Sequence, residues 1–376
     1  MKQFTYFFFL NCLMCYFSYA QITVGNFDFE DINRNYRVYL PTNYDDFAQL
    51  PLVINMHGLG SNALEQQLYS SFNNVADTSN FIVVYPNGID NTWNVGFGDP
   101  NVVTNDVGFI SALIDTLSAN YKVDLNRVYS TGMSMGGYMT YHLACTLNDR
   151  IAAFASVTGM MAKPLLNNCT PDSTIPVLQI HGTEDPTVPY NGSVYATSVD
   201  EAMTFWANHN NCIGENIVTE LPDTEDEGST VTKIEYTVCD EDVEVTLYRI
   251  NGGGHTWAGS LLNLGSTNLD IHASVEVWKF FEKYTLNGTN VGVENTVLEK
   301  EKMTVSPNPF SDFLEIKNIK TPIQNVRLYD MFGKLCFETK EINAANNRLN
   351  IDFLAEGMYL LQIETEKGQE TMKVVK

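Results

Sequence analysis

Basic residues and long apolar runs are both scarce in this chain of 376 residues. The sequence has 22 Lys and Arg against 45 Asp and Glu, a formal net charge of -23. A surface this negative repels phosphate backbones, so we expect no nucleic-acid partner. Beyond the N-terminus no stretch is long and apolar enough to span a bilayer, and no His or Cys spacing is that of a zinc site. The composition, 44% hydrophobic, is that of a globular protein of two or three domains.

The first 20 residues predict a secretory signal peptide. Lys2 precedes a mostly apolar run, and small residues occupy positions 18 and 20, which a signal peptidase reads. We therefore expect cleavage before Gln21. A membrane anchor is disfavoured because the apolar run is too short. A lipoprotein anchor at Cys15 is disfavoured because Cys12 stands where an aliphatic residue is expected.

The charges divide the chain into two modules. Residues 21–299 contain 10 basic and 34 acidic residues, whereas residues 300–376 contain 11 of each. The segment 286–303 begins with a polar, Gly- and Asn-rich run that has no hydrophobic periodicity, which is typical of a linker. We predict one domain over 21–285 and a second over 304–376.

The larger module alternates short apolar runs with stretches of helical periodicity. The predicted strands are 51–56, 81–85, 127–131, 175–180 and 243–250, and the predicted helices are 108–119, 136–147, 199–208 and 270–284. Strands that are apolar on both faces and separated by helices indicate a mostly parallel sheet covered on each side. The predicted fold class is therefore α/β.

The smaller module has a different pattern. Its apolar and polar residues alternate, with Gly-containing turns between the runs 313–317, 326–329, 334–339, 348–351 and 358–364. This pattern predicts a small antiparallel β-sandwich.

A nucleophile is predicted at Ser134, within the sequence Gly132-Met-Ser-Met-Gly. The motif lies directly between a predicted strand and a predicted helix, the context that a nucleophile elbow requires. Its glycines let two backbones pass closely in a strained turn, and the helix N-terminus favours developing negative charge. The alternative is an ordinary tight turn with a capping serine.

A serine hydroxyl needs a base to become a nucleophile, and His255 is the strongest candidate among six histidines. It follows a predicted strand on a loop with three glycines, and loops at the carboxyl ends of parallel strands are where catalytic groups collect. The weaker candidates are predicted on helices or directly at strand ends: His57, His142, His181, His209 and His272.

The acid of a triad is expected on the loop after strand 175–180. Two carboxylates compete there, Glu184 and Asp185, and we prefer Asp185 because its shorter side chain, next to Pro186, is better fixed for gripping the imidazole. The chain order serine, acid, histidine is then that of the α/β-hydrolase triad. The alternative for Asp185 is a turn-capping role.

Two backbone N–H groups should hold the oxyanion of the transition state. Met135, directly after the nucleophile, supplies one, and the loop after strand 51–56 supplies the other. We assign the second donor to Leu59. The side chain there can vary, because the donor is a backbone group.

Seven motifs occur in order: Met56-His-Gly, Tyr85-Pro-Asn-Gly, Trp93-Asn, Asn105-Asp-Val-Gly-Phe-Ile, Gly132-Met-Ser-Met-Gly-Gly, His181-Gly-Thr-Glu-Asp-Pro-Thr-Val-Pro-Tyr and Gly252-Gly-Gly-His-Thr-Trp. With them, residues 25–285 resemble the secreted polyhydroxybutyrate depolymerase and feruloyl/acetylxylan esterase group, carbohydrate esterase family one. The resemblance implies an α/β-hydrolase fold and ester hydrolysis through an acyl-enzyme on the same triad, without metal or cofactor. It also suggests Trp93, Tyr190 and Trp257 as substrate contacts, with core packing as the open alternative.

The smaller module contains Pro307-Asn-Pro-Phe, Val326-Arg-Leu-Tyr-Asp-Met-Phe-Gly, Gly357-Met-Tyr-Leu-Leu-Gln-Ile and Lys373-Val-Val-Lys. With these motifs it is similar to the type A sorting domain of the type IX secretion system. The resemblance implies a Bacteroidota-type envelope, export across the outer membrane by the type IX machinery, and no part in catalysis.

Five cysteines remain in the mature chain. In an oxidising compartment we pair Cys145 with Cys169 and Cys212 with Cys239, which closes loops of similar size, although four cysteines allow three pairings. Cys336, in a strand of the smaller module, is predicted to be a buried small hydrophobe.

The sequence thus predicts a secreted serine carboxylic-ester hydrolase. Feruloyl or acetyl esters of plant polysaccharide and hydroxyalkanoate polyesters all fit the same triad, so the polymeric or oligomeric substrate stays open. The alternative is a non-catalytic cell-surface polysaccharide-binding protein on a hydrolase scaffold, which an intact triad disfavours. Acyl transfer to an acceptor other than water is a third option. The acidic runs 223–227 and 240–244 lack the spacing of an EF-hand loop and are expected to be solvated loops.

Overall fold

A computed structural model describes residues 21–98, 103–260, 262, 265–286, 288–289, 304–317, 319, 322–330, 335–340, 342, 347–365 and 368–376. The predicted signal peptide and most of the predicted linker lie outside these residues. The chain divides into two compact units, 1–290 and 291–376. The domain boundaries at 285 and 304 stay predictions.

The first unit is built on one sheet of ten strands, β1 (Gln21–Phe29), β2 (Ile32–Leu40), β3 (Leu50–Met56), β4 (Ile82–Pro86), β5 (Val123–Met133), β6 (Ala153–Val157), β7 (Val177–Gly182), β8 (Ile217–Glu220), β9 (Thr230–Tyr236) and β10 (Val245–Asn251). The strand order is β1-β2-β4-β3-β5-β6-β7-β10-β9-β8. The six central strands from β4 to β10 are parallel, and antiparallel strands extend both edges. The mostly parallel sheet is confirmed.

Helices cover both faces of this sheet, α1 (Ala63–Ser70), α2 (Phe72–Ser79), α3 (Asp106–Asn120), α4 (Met135–Thr146), α5 (Lys163–Leu166), α6 (Val199–His209) and α7 (Ala273–Phe281). The helices α3, α4 and α6 share one apolar core, and α2 and α7 share the other. Strand β3 shows why both faces need covering, because Ile54 packs into the first core and Val53 into the second. A two-stranded hairpin, β11 (Tyr284–Thr285) and β12 (Gly288–Thr289), follows α7.

Two disulfides crosslink the first unit, one from a helix to a loop and the other between two loops. Cys145, near the end of α4, is bonded to Cys169 after α5, and Cys212, after α6, is bonded to Cys239 before β10. The cysteines are separated by 24 and 27 residues respectively. This is the pairing chosen above from loop size, and it removes comparable loop entropy from the unfolded chain in each case.

The second unit consists of antiparallel strands, β13 (Thr304–Ser306), β14 (Phe313–Lys317), β15 (Ile323–Asp330), β16 (Leu335–Thr339), β17 (Arg348–Asn350), β18 (Met358–Thr365) and β19 (Gly368–Val375). They form two sheets, β13-β14-β17 and β16-β15-β18-β19. Leu314 and Leu349 of one sheet and Leu328 and Leu361 of the other belong to a single core. The predicted β-sandwich is therefore confirmed. Cys336 is half-buried and packs against this core.

None of the helices within the described ranges has the length and apolar character needed to cross a membrane.

Candidate active site

The predicted nucleophile lies at a sharp junction between β5 and α4. Ser134 stands between Met133, the last residue of β5, and Met135, the first of α4, with φ 53° and ψ −119°. This combination lies outside the left-handed helical region and costs a residue with a Cβ on the order of 1–3 kcal/mol, the kind of strain that clusters at functional sites. The Ser134 N–H donates to Val157 O at 2.9 Å, which holds the turn against β6.

Two glycines allow this junction to pack against β3. A Cβ on Gly136 would lie 2.2 Å from Met56 O, and a Cβ on Gly132 would lie 2.7 Å from the same oxygen. Any side chain at either position would push the junction away from the sheet. The Gly-x-Ser-x-Gly pattern is therefore required here by close backbone approach.

The predicted acid is held in the turn after β7. One oxygen of Asp185, Oδ1, accepts the N–H groups of Thr187 and Val188 at 2.8 Å each. The other, Oδ2, accepts Nδ1–H of His255 at 2.7 Å. The side chain of Asp185 is fully buried, so these bonds offset the cost of removing its charge from water.

His255 lies on the loop after β10, directly against the acid turn. Gly253 O accepts the N–H of Glu184 at 3.0 Å, and a Cβ on Gly182 would lie 2.2 Å from the same oxygen. Because a carboxylate only accepts, Nδ1 of His255 carries a proton, so in the neutral imidazole Nε2 has the lone pair. The side chain is 18% exposed, so that lone pair belongs to a ring at the protein surface.

The three predicted triad residues follow three parallel strands, β5, β7 and β10, whose carboxyl ends meet at one edge of the sheet. Asp185 and His255 are joined by a hydrogen bond. Ser134 Oγ makes no hydrogen bond within the described part of the chain. Catalytic hydrogen bonds in resting enzymes are often long and tighten when substrate binds.

The predicted oxyanion donors belong to the start of α4 and to the loop after β3. Met135 is the first residue of α4, so its N–H has no acceptor within the helix. The loop after β3 passes beside Ser134, since a Cβ on Gly58 would lie 3.3 Å from Ser134 Cβ. Leu59 is the next residue along that loop. Its N–H assignment stays a prediction.

A buried relay that the sequence did not reveal connects α4 to the acid turn. Tyr141 of α4 donates to Gln179 Oε1 at 2.7 Å, and Gln179 Nε2 donates to His181 Nδ1 at 2.9 Å. His181 Nε2–H then donates to Val188 O at 2.8 Å, and Nε2 lies 3.5 Å from Asp185 Oδ2. His181 therefore supports the acid turn. The spacing of four residues between His181 and Asp185 is the sequence feature that could have indicated this role.

His57 is a second buried histidine with a structural role. Its Nε2 accepts the Gly88 N–H at 3.0 Å, so Nδ1 carries the proton and donates to Gly58 O at 2.8 Å. The backbone carbonyl of His57 accepts Trp93 Nε1–H at 3.0 Å. These bonds fix the loop that carries Gly58 and Leu59.

Acid should destabilise the first unit before its ordinary carboxylates titrate. Burial lowers the pKa of both His57 and His181 below 6.5. Below that value the unfolded chain binds protons that the folded histidines do not, so stability is full above pH 6.5 and falls as the pH drops. We expect a loss of about 1 kcal/mol per pH unit for each buried histidine until its folded pKa is reached.

Urea denaturation at pH 7, 6 and 5, at constant ionic strength, measures this loss. All four tryptophans lie in the first unit, so their fluorescence reports its unfolding. A urea midpoint that stays constant across this range would contradict the prediction.

The three aromatic residues suggested above as substrate contacts are core residues in the structure, so that suggestion is corrected. Trp93, Tyr190 and Trp257 are 1%, 9% and 0% exposed. Their polar atoms are bonded inside the protein, Trp257 Nε1 to Ser274 Oγ and Tyr190 OH to Asp200. Their rings pack in the cores, so no ring face is available to a substrate.

The remaining histidines make no hydrogen bond with a triad residue in the described part of the chain. His142 lies within α4 and donates from Nδ1 to Asn94 O, and His209 ends α6 with a bond to Ser173 O. His272 was expected on a helix surface, but α7 begins later than predicted, and His272 is its N-cap. In the described residues no group of three or more His, Cys, Asp or Glu side chains is arranged to hold a metal ion.

Residues 45–213 match the family described as Phospholipase/Carboxylesterase, and residues 304–376 match the Secretion system C-terminal sorting domain. A probable feruloyl esterase C from Aspergillus clavatus is 30% identical over 255 residues, which cover 66% of this chain and 83% of that protein. A feruloyl esterase B from Piromyces equi is 31% identical over 58% of this chain and 42% of that protein. A bifunctional acetylxylan esterase/xylanase from Neocallimastix patriciarum is 27% identical over 68% of this chain and 34% of that protein.

The chain thus spans about two fifths of the length of the Piromyces equi protein and about a third of the length of the Neocallimastix patriciarum protein. The sorting domain marks the protein for secretion to the cell surface or the exterior. The fold, the ordered motifs and these similarities agree. The chain belongs to the feruloyl and acetylxylan esterase family of α/β-hydrolases, and its C-terminal unit is a secretion sorting domain.

Proposed function

We propose that the protein is a secreted serine carboxylic-ester hydrolase that acts through an acyl-enzyme. The observation that carries this proposal is the 2.7 Å hydrogen bond from His255 to the buried Asp185. It lies at the same sheet edge as Ser134, whose backbone is strained. A general base needs one ring nitrogen held by a carboxylate and the other left available to take a proton, and His255 has this arrangement.

The first half-reaction would begin with proton transfer. His255 Nε2 takes the proton of Ser134 as Oγ attacks the ester carbonyl carbon, and Asp185 stabilises the imidazolium that forms. The N–H groups of Met135 and Leu59 hold the oxyanion of the tetrahedral intermediate. As the intermediate collapses, His255 returns the proton to the leaving alcohol, and the acyl group stays on Ser134.

The second half-reaction uses the same groups with water in place of serine. His255 takes a proton from water, the resulting hydroxide attacks the acyl-enzyme, and the same two amides hold the second oxyanion. Collapse releases the carboxylic acid and returns the proton to Ser134. The two half-reactions consume the ester and one water molecule, and they regenerate the side chains of the triad.

The substrates we propose are carboxylic esters of plant polysaccharide, feruloyl or acetyl, or of hydroxyalkanoate polyester. The names of the relatives favour the polysaccharide esters. We propose that the C-terminal unit engages the type IX export machinery. It takes no part in catalysis, because all the triad residues belong to the first unit.

A panel of esters tests the proposal. The mature protein is incubated with p-nitrophenyl acetate, methyl ferulate, acetylated xylan and polyhydroxybutyrate film. We expect hydrolysis of at least one ester, with a burst of p-nitrophenol and an acylated Ser134 peptide after acid quenching. Folded protein that binds insoluble xylan and cleaves none of the four would support the polysaccharide-binding alternative instead.

A further inference from the structure

A buried glutamine contacts the second ring nitrogen of His181, the one that is not turned to Asp185. Gln179 and His181 lie two residues apart in β7, so their side chains are on the same face of the sheet. Both residues are fully buried. Gln179 Nε2 donates to His181 Nδ1 at 2.9 Å and to Gly159 O at 3.0 Å. The proton transfers described above use neither side chain.

The hydrogen-bond directions in the buried relay allow one arrangement of protons. Gly159 O can only accept, so the amide nitrogen of Gln179 faces it, and the amide oxygen faces Tyr141, which donates at 2.7 Å. The second hydrogen of the amide nitrogen points to Nδ1 of His181, which must therefore present a lone pair. The proton of the imidazole is then on Nε2, where Val188 O accepts it at 2.8 Å. Two backbone carbonyls thus fix the tautomer from both ends of the relay.

This arrangement excludes a second proton from His181. An imidazolium carries an N–H at both ring nitrogens, and its Nδ1–H would meet an N–H of Gln179 across 2.9 Å. Two donors that face each other lose their hydrogen bond, which is costly in a buried site. Burial of the ring also lowers the pKa of His181 below its ordinary value. His181 therefore stays neutral at a pH where an exposed histidine is charged.

The other groups that face His181 leave Asp185 as the partner that a charged ring would have. The ring of Tyr190 packs edge to face at 6.1 Å between centroids, and burial raises the pKa of its hydroxyl, so Tyr190 is neutral. Arg249 is paired with His181 in the register of β10 and β7, and its guanidinium is hydrogen-bonded to β9 and to β10 itself. Among the charges that act on His181, Asp185 favours a second proton and a protonated His255 opposes it.

The carboxylate of Asp185 faces two histidines with the same oxygen. Oδ2 accepts Nδ1–H of His255 at 2.7 Å and lies 3.5 Å from Nε2 of His181. If His181 were charged, two cations would share one buried carboxylate, and the imidazolium that His255 forms during proton transfer would be stabilised less. A neutral His181 leaves the negative charge of Asp185 to His255 alone.

We propose that Gln179 is a positioning residue that keeps His181 neutral and so reserves the charge of Asp185 for His255. This inference rests on the proposed function, because the charge matters through the proton that His255 takes from Ser134. The amide of Gln179 then contributes to the pH at which the enzyme loses activity in acid.

Gln179→Glu tests this role with a side chain of nearly the same size. The introduced carboxylate can accept the Tyr141 hydroxyl and an Nδ1–H of His181, so it draws a second proton onto that ring. A charged His181 makes protonation of His255 less favourable, so the base stays neutral at lower pH. We expect the acid limb of the kcat/KM profile for p-nitrophenyl acetate to move down by roughly one pH unit, and the plateau to fall roughly tenfold because the base is weaker.

Tyr141→Phe is the matched control within the same relay. It removes the hydroxyl that donates to Gln179 Oε1, but it leaves the amide nitrogen between Gly159 O and Nδ1 of His181. We expect the acid limb to stay at its wild-type pH in this variant. Thermal melts of both variants record stability separately, since a loss of packing alone lowers the melting temperature and does not move the limb.

NMR of the full mature chain, labelled with ¹⁵N in its histidines, measures the protonation of His181 without any substitution. The two ring nitrogens of a neutral histidine are chemically different, whereas both carry a proton in imidazolium. The contact of the His181 ring with that of Tyr190 identifies its resonances. We expect a single proton, on Nε2, down to about pH 5, well below the ordinary histidine pKa of about 6.5.

The outcomes separate this role from the proposed function. A charged His181 in folded wild-type protein at about pH 5.5, or a single proton on Nδ1, would overturn the role of Gln179 and leave the hydrolase standing. An acid limb that does not move in folded Gln179→Glu would also overturn it, and if that variant does not fold, the NMR measurement decides. Wild-type protein that cleaves no ester would contradict the proposed function and the positioning role with it.

Discussion

The Ser134→Ala variant should lose kcat for p-nitrophenyl acetate by roughly 10⁵- to 10⁶-fold, as removal of a serine nucleophile does in other hydrolases. The change removes one oxygen and keeps Cβ, so the strained turn between β5 and α4 is retained. The Ser134 N–H bond to Val157 O at 2.9 Å is made by backbone and also remains. The loss should therefore appear in the chemical step and not in folding.

Steady-state kinetics on p-nitrophenyl acetate, together with a thermal melt, measure this effect. Ser61→Ala is a matched control, because the Ser61 hydroxyl belongs to the neighbouring loop after β3 and donates to Glu65 Oε2 at 2.8 Å. We expect kcat within about threefold of wild type in that variant. If folded Ser134→Ala retains more than about a hundredth of the wild-type kcat, another group is the nucleophile.

The parts of the site that sequence predicts are those fixed by short spacing and by topology. Ser134 could be located because its flanking glycines, strand and helix are contiguous in the chain. Asp185 and His255 could be placed because the carboxyl ends of parallel strands meet at one edge. Their pairing follows from that rule, although 70 residues separate them.

The antiparallel strands at the two edges of the sheet were not predicted from the sequence, for a physical reason. The pairs β1–β2 and β9–β8 add antiparallel strands whose outer residues are partly exposed, such as Val24 and Val218. Such strands lack the continuous apolar run of a strand buried on both faces, so they do not stand out from loops. Five of the six central strands, which are buried on both faces, do stand out. The sixth, β6, was also missed, because its run Ala153–Val157 is buried but consists largely of small Ala and Ser residues.

Aromatic contacts with substrate could not be chosen from sequence, because exposure depends on how loops fold. Trp257 lies two residues from His255, yet it is buried and bonded to Ser274. Tyr195 lies in a loop with no motif, yet its ring is exposed and packs against Phe97. Sequence proximity to a catalytic residue does not determine which side chain faces the substrate.

The Asp185→Asn variant should lose about 10³- to 10⁴-fold in kcat, because the substitution moves the imidazole proton of His255 from Nδ1 to Nε2. The amide oxygen of the introduced asparagine can still accept the N–H groups of Thr187 and Val188, which are now bonded to Asp185 Oδ1. The amide nitrogen then faces His255 as a donor, so Nδ1 must accept and Nε2 carries the proton. A protonated Nε2 cannot take the proton of Ser134.

Glu184→Gln is the matched control for this change, since it makes the same carboxylate-to-amide substitution on the adjacent, exposed residue. We expect kcat within about twofold of wild type there, because Glu184 contacts the base loop through its backbone N–H, at 3.0 Å from Gly253 O. Asp185→Asn should keep its melting temperature near wild type, as the turn keeps its two amide bonds. If Glu184→Gln suffers the large loss and Asp185→Asn does not, Glu184 is the acid. We expect the reverse, because Oδ2 of Asp185 is the atom that accepts Nδ1–H of His255 and so fixes the imidazole in its reactive tautomer.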